Sequence, residues 1–109
     1  VRKGARYEDL AEAYLRKKGY RILERNFHCR GGEIDIVALD GETLVFVEVK
    51  GGRDLSYGDP LERVGRLKLL RILRCGRLYS AKSGNRSFRI DVVVVRGNEV
   101  EHLENIGFS

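Results

Sequence analysis

EIDIVALD (33–40) and TLVFVEVK (43–50), separated by Gly41-Glu42, decide the fold. Both stretches are rich in β-branched residues. The two residues between them fit a tight hairpin loop with glycine first. If Gly41-Glu42 is the turn, paired positions sum to 83 and Asp35 lies opposite Glu48. If Asp40-Gly41 is the turn, the sum is 81 and Asp35 lies opposite Phe46. In either register Glu33 and Asp35 share a face with Phe46, Glu48 and Lys50. The other face carries Ile34, Ile36 and Ala38 beside Val45, Val47 and Val49, and must pack into a core. A slip by one residue would put carboxylates among valines, so the pattern specifies its own register.

Working outward, Tyr7, Leu10, Ala11, Tyr14 and Leu15 recur at helical spacing, which predicts an amphipathic helix over 6–18 ending near Gly19. YRILERNF (20–27) reads as a strand and HCRGG (28–32) as a loop. GGRDLSYGD (51–59) is a polar loop. Asp59, Pro60 and Glu62 then form an N-cap signature for a second helix reaching about Tyr79, in which Gly65 and Gly76 either weaken the helix or mark close packing. FRIDVVVV (88–95) reads as a strand buried on both faces, Gly97-Asn98 as a turn and 99–103 as a last strand. The order is α-β-β-β-α-β-β: an α/β fold with a central mixed sheet flanked by helices, in one domain of 109 residues.

The hairpin brings two acids and an amine together. Directly opposed positions have Cβ atoms about 4.5–5.5 Å apart, near enough for two carboxylates to share a cation. Unpaired, they repel, and one is driven to protonate. A hard divalent ion relieves that; Mg²⁺ or Mn²⁺ takes carboxylate oxygens and leaves positions for water and phosphate. The backbone carbonyl of Val49 is a further candidate oxygen donor. Lys50 stands where an ammonium can orient an attacking water or neutralise charge growing on phosphorus. A Glu-x-Lys alone fits a surface salt bridge equally well. Adjacent strands with an apolar reverse face favour the metal reading.

The charge is uneven. The chain nets +5, and residues 61–80 alone hold six basic residues and one acid, also +5. Arg66, Lys68, Arg71 and Arg74 in this segment are candidates for binding a polyanion. No apolar run approaches a membrane span and no signal-peptide core opens the chain, so the expected location is the cytoplasm, away from membranes. Cys29 and Cys75 lack any CxxC or Cys/His metal spacing and are read as neither a disulfide framework nor a zinc site. Asp91, in RIDVV, echoes EIDIV but has no Glu-x-Lys after it. It reads as a buried aspartate bonded to an arginine or to backbone amides. His28 and His102 read as surface or packing residues.

Asp35…Glu48-x-Lys50 on a hairpin resembles the PD-(D/E)-x-K nuclease core. With Glu8-x-x-Ala11-x-x-Tyr14-Leu15, Gly19-Tyr20, RILERNF, GEIDIVALD (32–40), LVFVEVK (44–50), Tyr57-Gly58, Lys68 and RIDVVVV (89–95), nearly the whole chain resembles the YraN family of small bacterial proteins. That family is similar in outline to archaeal Holliday-junction resolvases. The resemblance implies a restriction-endonuclease-like fold and a metal-dependent nuclease acting on DNA, branched DNA among the candidates. It implies Asp35 and Glu48 as metal ligands, Lys50 as catalytic cation, Glu8 as the first-helix acid that completes the site or holds a second metal, and Lys68 as a second-helix group that approaches the substrate or the site. Glu33 is expected to orient its neighbours or bind a basic side chain. Ile34 stands where the family pattern has proline. Arg53 follows Gly51-Gly52 where a basic residue is expected one position earlier, and it is the candidate to take that part in contacting nucleic acid. Nucleases of this fold often pair two sites, so a homodimer is an expected partner arrangement. The competing expectations are a non-catalytic nucleic-acid-binding module on the same scaffold and an adaptor whose basic helix docks an acidic protein.

Overall fold

A computed structural model describes residues 3–51 and 65–107. The elements run α1 (Lys3–Lys17), β1 (Arg21–Cys29), β2 (Gly32–Asp40), β3 (Thr43–Gly51), α2 (Arg66–Lys82), β4 (Phe88–Arg96) and β5 (Glu99–Leu103). The expected α-β-β-β-α-β-β order is what the chain adopts. The expected helix start at Asp59 and Pro60, together with Arg53 and Tyr57-Gly58, lies outside the described residues.

The five strands form one sheet in the order β1-β2-β3-β4-β5. All pairs are antiparallel except β3–β4, which is parallel and so requires a crossover. Both faces of the sheet are covered. On one side, Ala11, Leu15 and Tyr20 pack on Ile36, Ala38, Val45, Val47, Val93 and Val95. On the other, Leu69, Ile72 and Cys75 of α2 pack on Ile34, Val37, Leu44, Phe46, Ile90, Val92 and Val94. β4 serves both layers at once, which is why residues 92–95 are an unbroken apolar run. Gly76 is the contact point of α2: a Cβ there would lie 2.6 Å from the Phe46 ring, so only glycine lets the helix settle this close.

The hairpin register is settled. Ile36 pairs with Val47 and Asp40 with Thr43, giving the sum of 83, and Gly41 turns the chain at φ 61°. Two expectations need correction. HCRGG is mostly strand: Cys29 pairs with Gly32, and only Arg30 and Gly31 turn, with Gly31 supplying the positive φ of 85°. Ile34 also does not share a face with Ile36. It joins the cluster under α2, while Ile36 joins the one under α1. The cause lies in the neighbouring strand, where Asn26 adopts φ 54° in mid-strand. Arg25 pairs with Ile36 and reaches α1, whereas Phe27 pairs with Ile34 and meets Tyr79 under α2. The two strands roll over together between these pairs, and Asp35 sits at the roll.

Candidate active site

The ladder between β2 and β3 runs from Asp40–Thr43 to Ile36–Val47. At the next residue of β2, Asp35 reaches sideways, and its Oδ2 accepts the N–H of Val49 at 2.9 Å. The roll in β2 frees the side chain to do this, and the bond holds the carboxyl beside Glu48. Val49 thus meets Asp35 through its amide N–H, a separate group from the carbonyl that the sequence names as a candidate oxygen donor.

Glu48 is 2% exposed. Its Oε2 faces two ammonium groups, Lys50 Nζ at 3.5 Å and Lys68 Nζ at 3.3 Å. Its Oε1 is buried with no hydrogen-bond partner. A buried oxygen of this kind is costly unless a proton or a cation meets it. Burial, and then the negative charge of Glu48, push the Asp35 carboxyl up to about 7; the Val49 amide and Lys68 pull the other way. Without a bound cation the pair therefore holds a proton near neutral pH. An orphaned oxygen next to a carboxyl of raised pKa fits a hard divalent ion, with Asp35 and Glu48 as the residues that would hold it.

Lys68 was expected to approach either the substrate or the site. It reaches the site from the first turn of α2, and its side chain is still 36% exposed. Glu8, expected to complete the site, pairs with Arg25 at 3.3 Å in a cluster that also includes Asp9 and Glu12. Glu33 lies 3.4 Å from His28 across the β1–β2 ladder. Next to Lys68 a groove of about 250 Å³ opens, lined by His28, Gly31, Gly32, Glu33, Lys68 and Arg71. Arg66 and Arg74 are exposed on the same helix, which carries six basic residues and no acid. The groove could not be read from the sequence, because it depends on the β1–β2 register and on where α2 lies over the hairpin end.

The cysteines overturn the sequence reading. Cys29 and Cys75 are joined in a disulfide, 46 residues apart, and no free cysteine remains. Spacing carried no sign of this because the bond joins the end of β1 to mid-α2, which only the tertiary fold brings together.

A second polar cluster lies on the α1 side of β4. Asp91, His102 and Glu104 offer three ligand atoms within 4.8 Å of one another. The Asp91 oxygens are already taken, however, by His102 Nε2 at 2.7 Å, the Asn105 N–H at 2.9 Å and Arg89 Nε at 3.1 Å. Burial raises the Asp91 pKa, but these three donors outweigh it and hold the carboxyl below its ordinary range. Lys18 can only donate, so at 2.9 Å it makes His102 Nδ1 the acceptor and leaves Nε2–H to donate to Asp91. The cluster is a satisfied structural network, and Asp91 is the arginine-bonded aspartate expected from the sequence.

Comparison with known proteins adds a family. The model of the uncharacterised protein family UPF0102 matches residues 7–95. A UPF0102 protein of Carboxydothermus hydrogenoformans is 54% identical over 76 residues, which cover 70% of this chain and 64% of that protein. One of Arthrobacter sp. is 45% identical over 95% of this chain and 94% of its own length. One of Geobacter sulfurreducens is 44% identical over 94% and 85% respectively.

Proposed function

The chain belongs to the uncharacterised protein family UPF0102, the YraN family, and from that premise we propose that it is a divalent-metal-dependent, nuclease-like protein that hydrolyses DNA phosphodiester bonds. The observation that carries the reading is the buried, unpartnered Oε1 of Glu48 beside Asp35, with two lysines on the opposite oxygen. A bound Mg²⁺ or Mn²⁺ would supply a Lewis acid for the phosphate and lower the pKa of an attacking water. The protein's own part is positional. Val49 N–H fixes Asp35, and Lys50 and Lys68 fix Glu48. The two ammonium groups also stand ready to neutralise charge on a phosphate brought to the site. The groove beside Lys68 and Arg71 is the path for the strand, and the exposed Arg66 and Arg74 extend its positive flank.

Branched DNA is the first substrate to try, and a homodimer would supply the second site needed to cut two strands. The expected compartment is the cytoplasm; among the described residues no helix is long and apolar enough to cross a membrane.

The test is cleavage of labelled duplex, flapped and four-way DNA in Mg²⁺ and in Mn²⁺. Wild type should cut, while Glu48→Gln and Lys50→Ala should lose at least about 100-fold. Equal cutting by the variants would sink the assignment. Binding that persists in chelator with no cutting of any substrate would favour the non-catalytic module, which the acid-free α2 also supports.

A further inference from the structure

We infer that the Cys29–Cys75 disulfide is a reversible redox latch on the groove that Lys68 and Arg71 line, setting how firmly α2 presents these two residues to a nucleic-acid strand. The inference rests on the nuclease-like reading of the site. The bond joins the last residue of β1 to the middle of α2. Lys68 lies seven positions before Cys75 on that helix and Arg71 four, so both are within two helical turns of the anchor. The opposite wall of the groove, His28 and Gly31 to Glu33, flanks Cys29. The two walls touch closely here. A Cβ on Gly32 would lie 3.1 Å from Cys75 Sγ and 3.2 Å from the Arg71 carbonyl oxygen. The latch therefore fastens one wall of the groove to the other.

The two sulfurs differ in access. Cys75 is fully buried, whereas Cys29 is part-exposed at the hairpin end. A dithiol reductant attacks Cys29 Sγ as its thiolate; the S–S bond breaks and Cys75 leaves and takes a proton. The reductant's second thiol then displaces Cys29, which takes the other proton, and the reductant ends as a disulfide, having given two electrons. Disulfides that persist in the cytoplasm are uncommon, and those found there are commonly redox-sensing, so a part-exposed bond at the mouth of a site suits a switch better than a permanent staple. The oxidised form is the competent one, because it holds Lys68 within reach of Glu48.

The test compares full-length oxidised and dithiol-reduced protein, with the Cys29→Ser variant as a form that cannot close. Two quantities are read: affinity for four-way DNA in Ca²⁺, and amide hydrogen exchange along α2. Reduction should weaken binding about 5- to 10-fold and speed exchange over residues 67–74 more than in β4; Cys29→Ser should match the reduced form under both conditions. Equal affinity and equal exchange in the two states would overturn the latch while leaving the site reading intact. So would two free thiols in air-oxidised protein. If neither form binds DNA but exchange in α2 still responds to reduction, the nuclease-like reading falls and takes the strand-binding role of the latch with it, leaving only a bond that orders α2.

Discussion

Two aspartates in near-identical sequence settings, half-buried Asp35 in EIDIV and buried Asp91 in RIDVV, are held in opposite states by their neighbours. Asp91 receives three donors and stays charged. Asp35 receives one amide and faces another carboxylate, so its pKa rises to about 7. Opposite pH dependences follow. For Asp35 the folded pKa lies above the unfolded value, so its contribution is largest in acid and is lost as pH rises from about 4 through 7. In chelator, the melting temperature of wild type should fall over that window, and Asp35→Asn should flatten the fall. Mg²⁺ should raise the melting temperature more at pH 8 than at pH 5, as scanning calorimetry can show. For Asp91 the folded pKa is depressed, so its contribution is present above the ordinary carboxylate range and is lost below it. Replacing it with alanine leaves Arg89 its partners Asp40 and Glu104 but takes the acceptor from His102 Nε2 and the Asn105 N–H, and should cost about 1–3 kcal/mol in urea denaturation. The sequence pointed to an arginine or backbone amides as partners, and Arg89 and the Asn105 N–H supply one of each. It could not reveal His102, which reaches Asp91 only through the β4–β5 pairing.

At the scale of elements, the β2–β3 hairpin was the most legible part. Its alternation and its glycine turn narrow the pairing to two registers of the same parity, and the one adopted puts Asp35 next in line to Glu48. The roll at Asn26 was hidden because asparagine in mid-strand carries no periodic signal; a left-handed φ there shows only in coordinates. α2 joins the core to the site. Gly76→Ala should push against Phe46 and destabilise by about 1–3 kcal/mol, beyond any gain in helix propensity, as a urea midpoint would record. The outer cations of α2 should give DNA binding a steep salt dependence. Changing Arg71 and Arg74 together to glutamate should weaken binding at low salt and flatten the slope of log K against log salt by about 2, read by fluorescence anisotropy.

Across the whole molecule, the disulfide closes a loop of 46 residues that spans β2, β3 and most of α2. By the chain-entropy model such a link stabilises by roughly 3–4 kcal/mol, so Cys29→Ser should lower stability by up to that amount while the domain stays folded. No sequence rule marked this pair, since two isolated cysteines report spacing but not proximity. Composition did mark the layer plan. The half of β4 at residues 92–95 is apolar on both faces because it packs into both core layers, and β1 alternates less cleanly because it is an edge.

The parallel joint between β3 and β4 has a kinetic side. β1, β2 and β3 zip up through short turns, but β4 docks only after the long connection carrying α2 has swung across. Until then the meander presents an unpaired rim of Val45, Val47 and Val49, a sticky template for any neighbouring chain. Recovery from denaturant should therefore drop as protein concentration climbs, with aggregates seeded from this rim, and dilution should restore the yield.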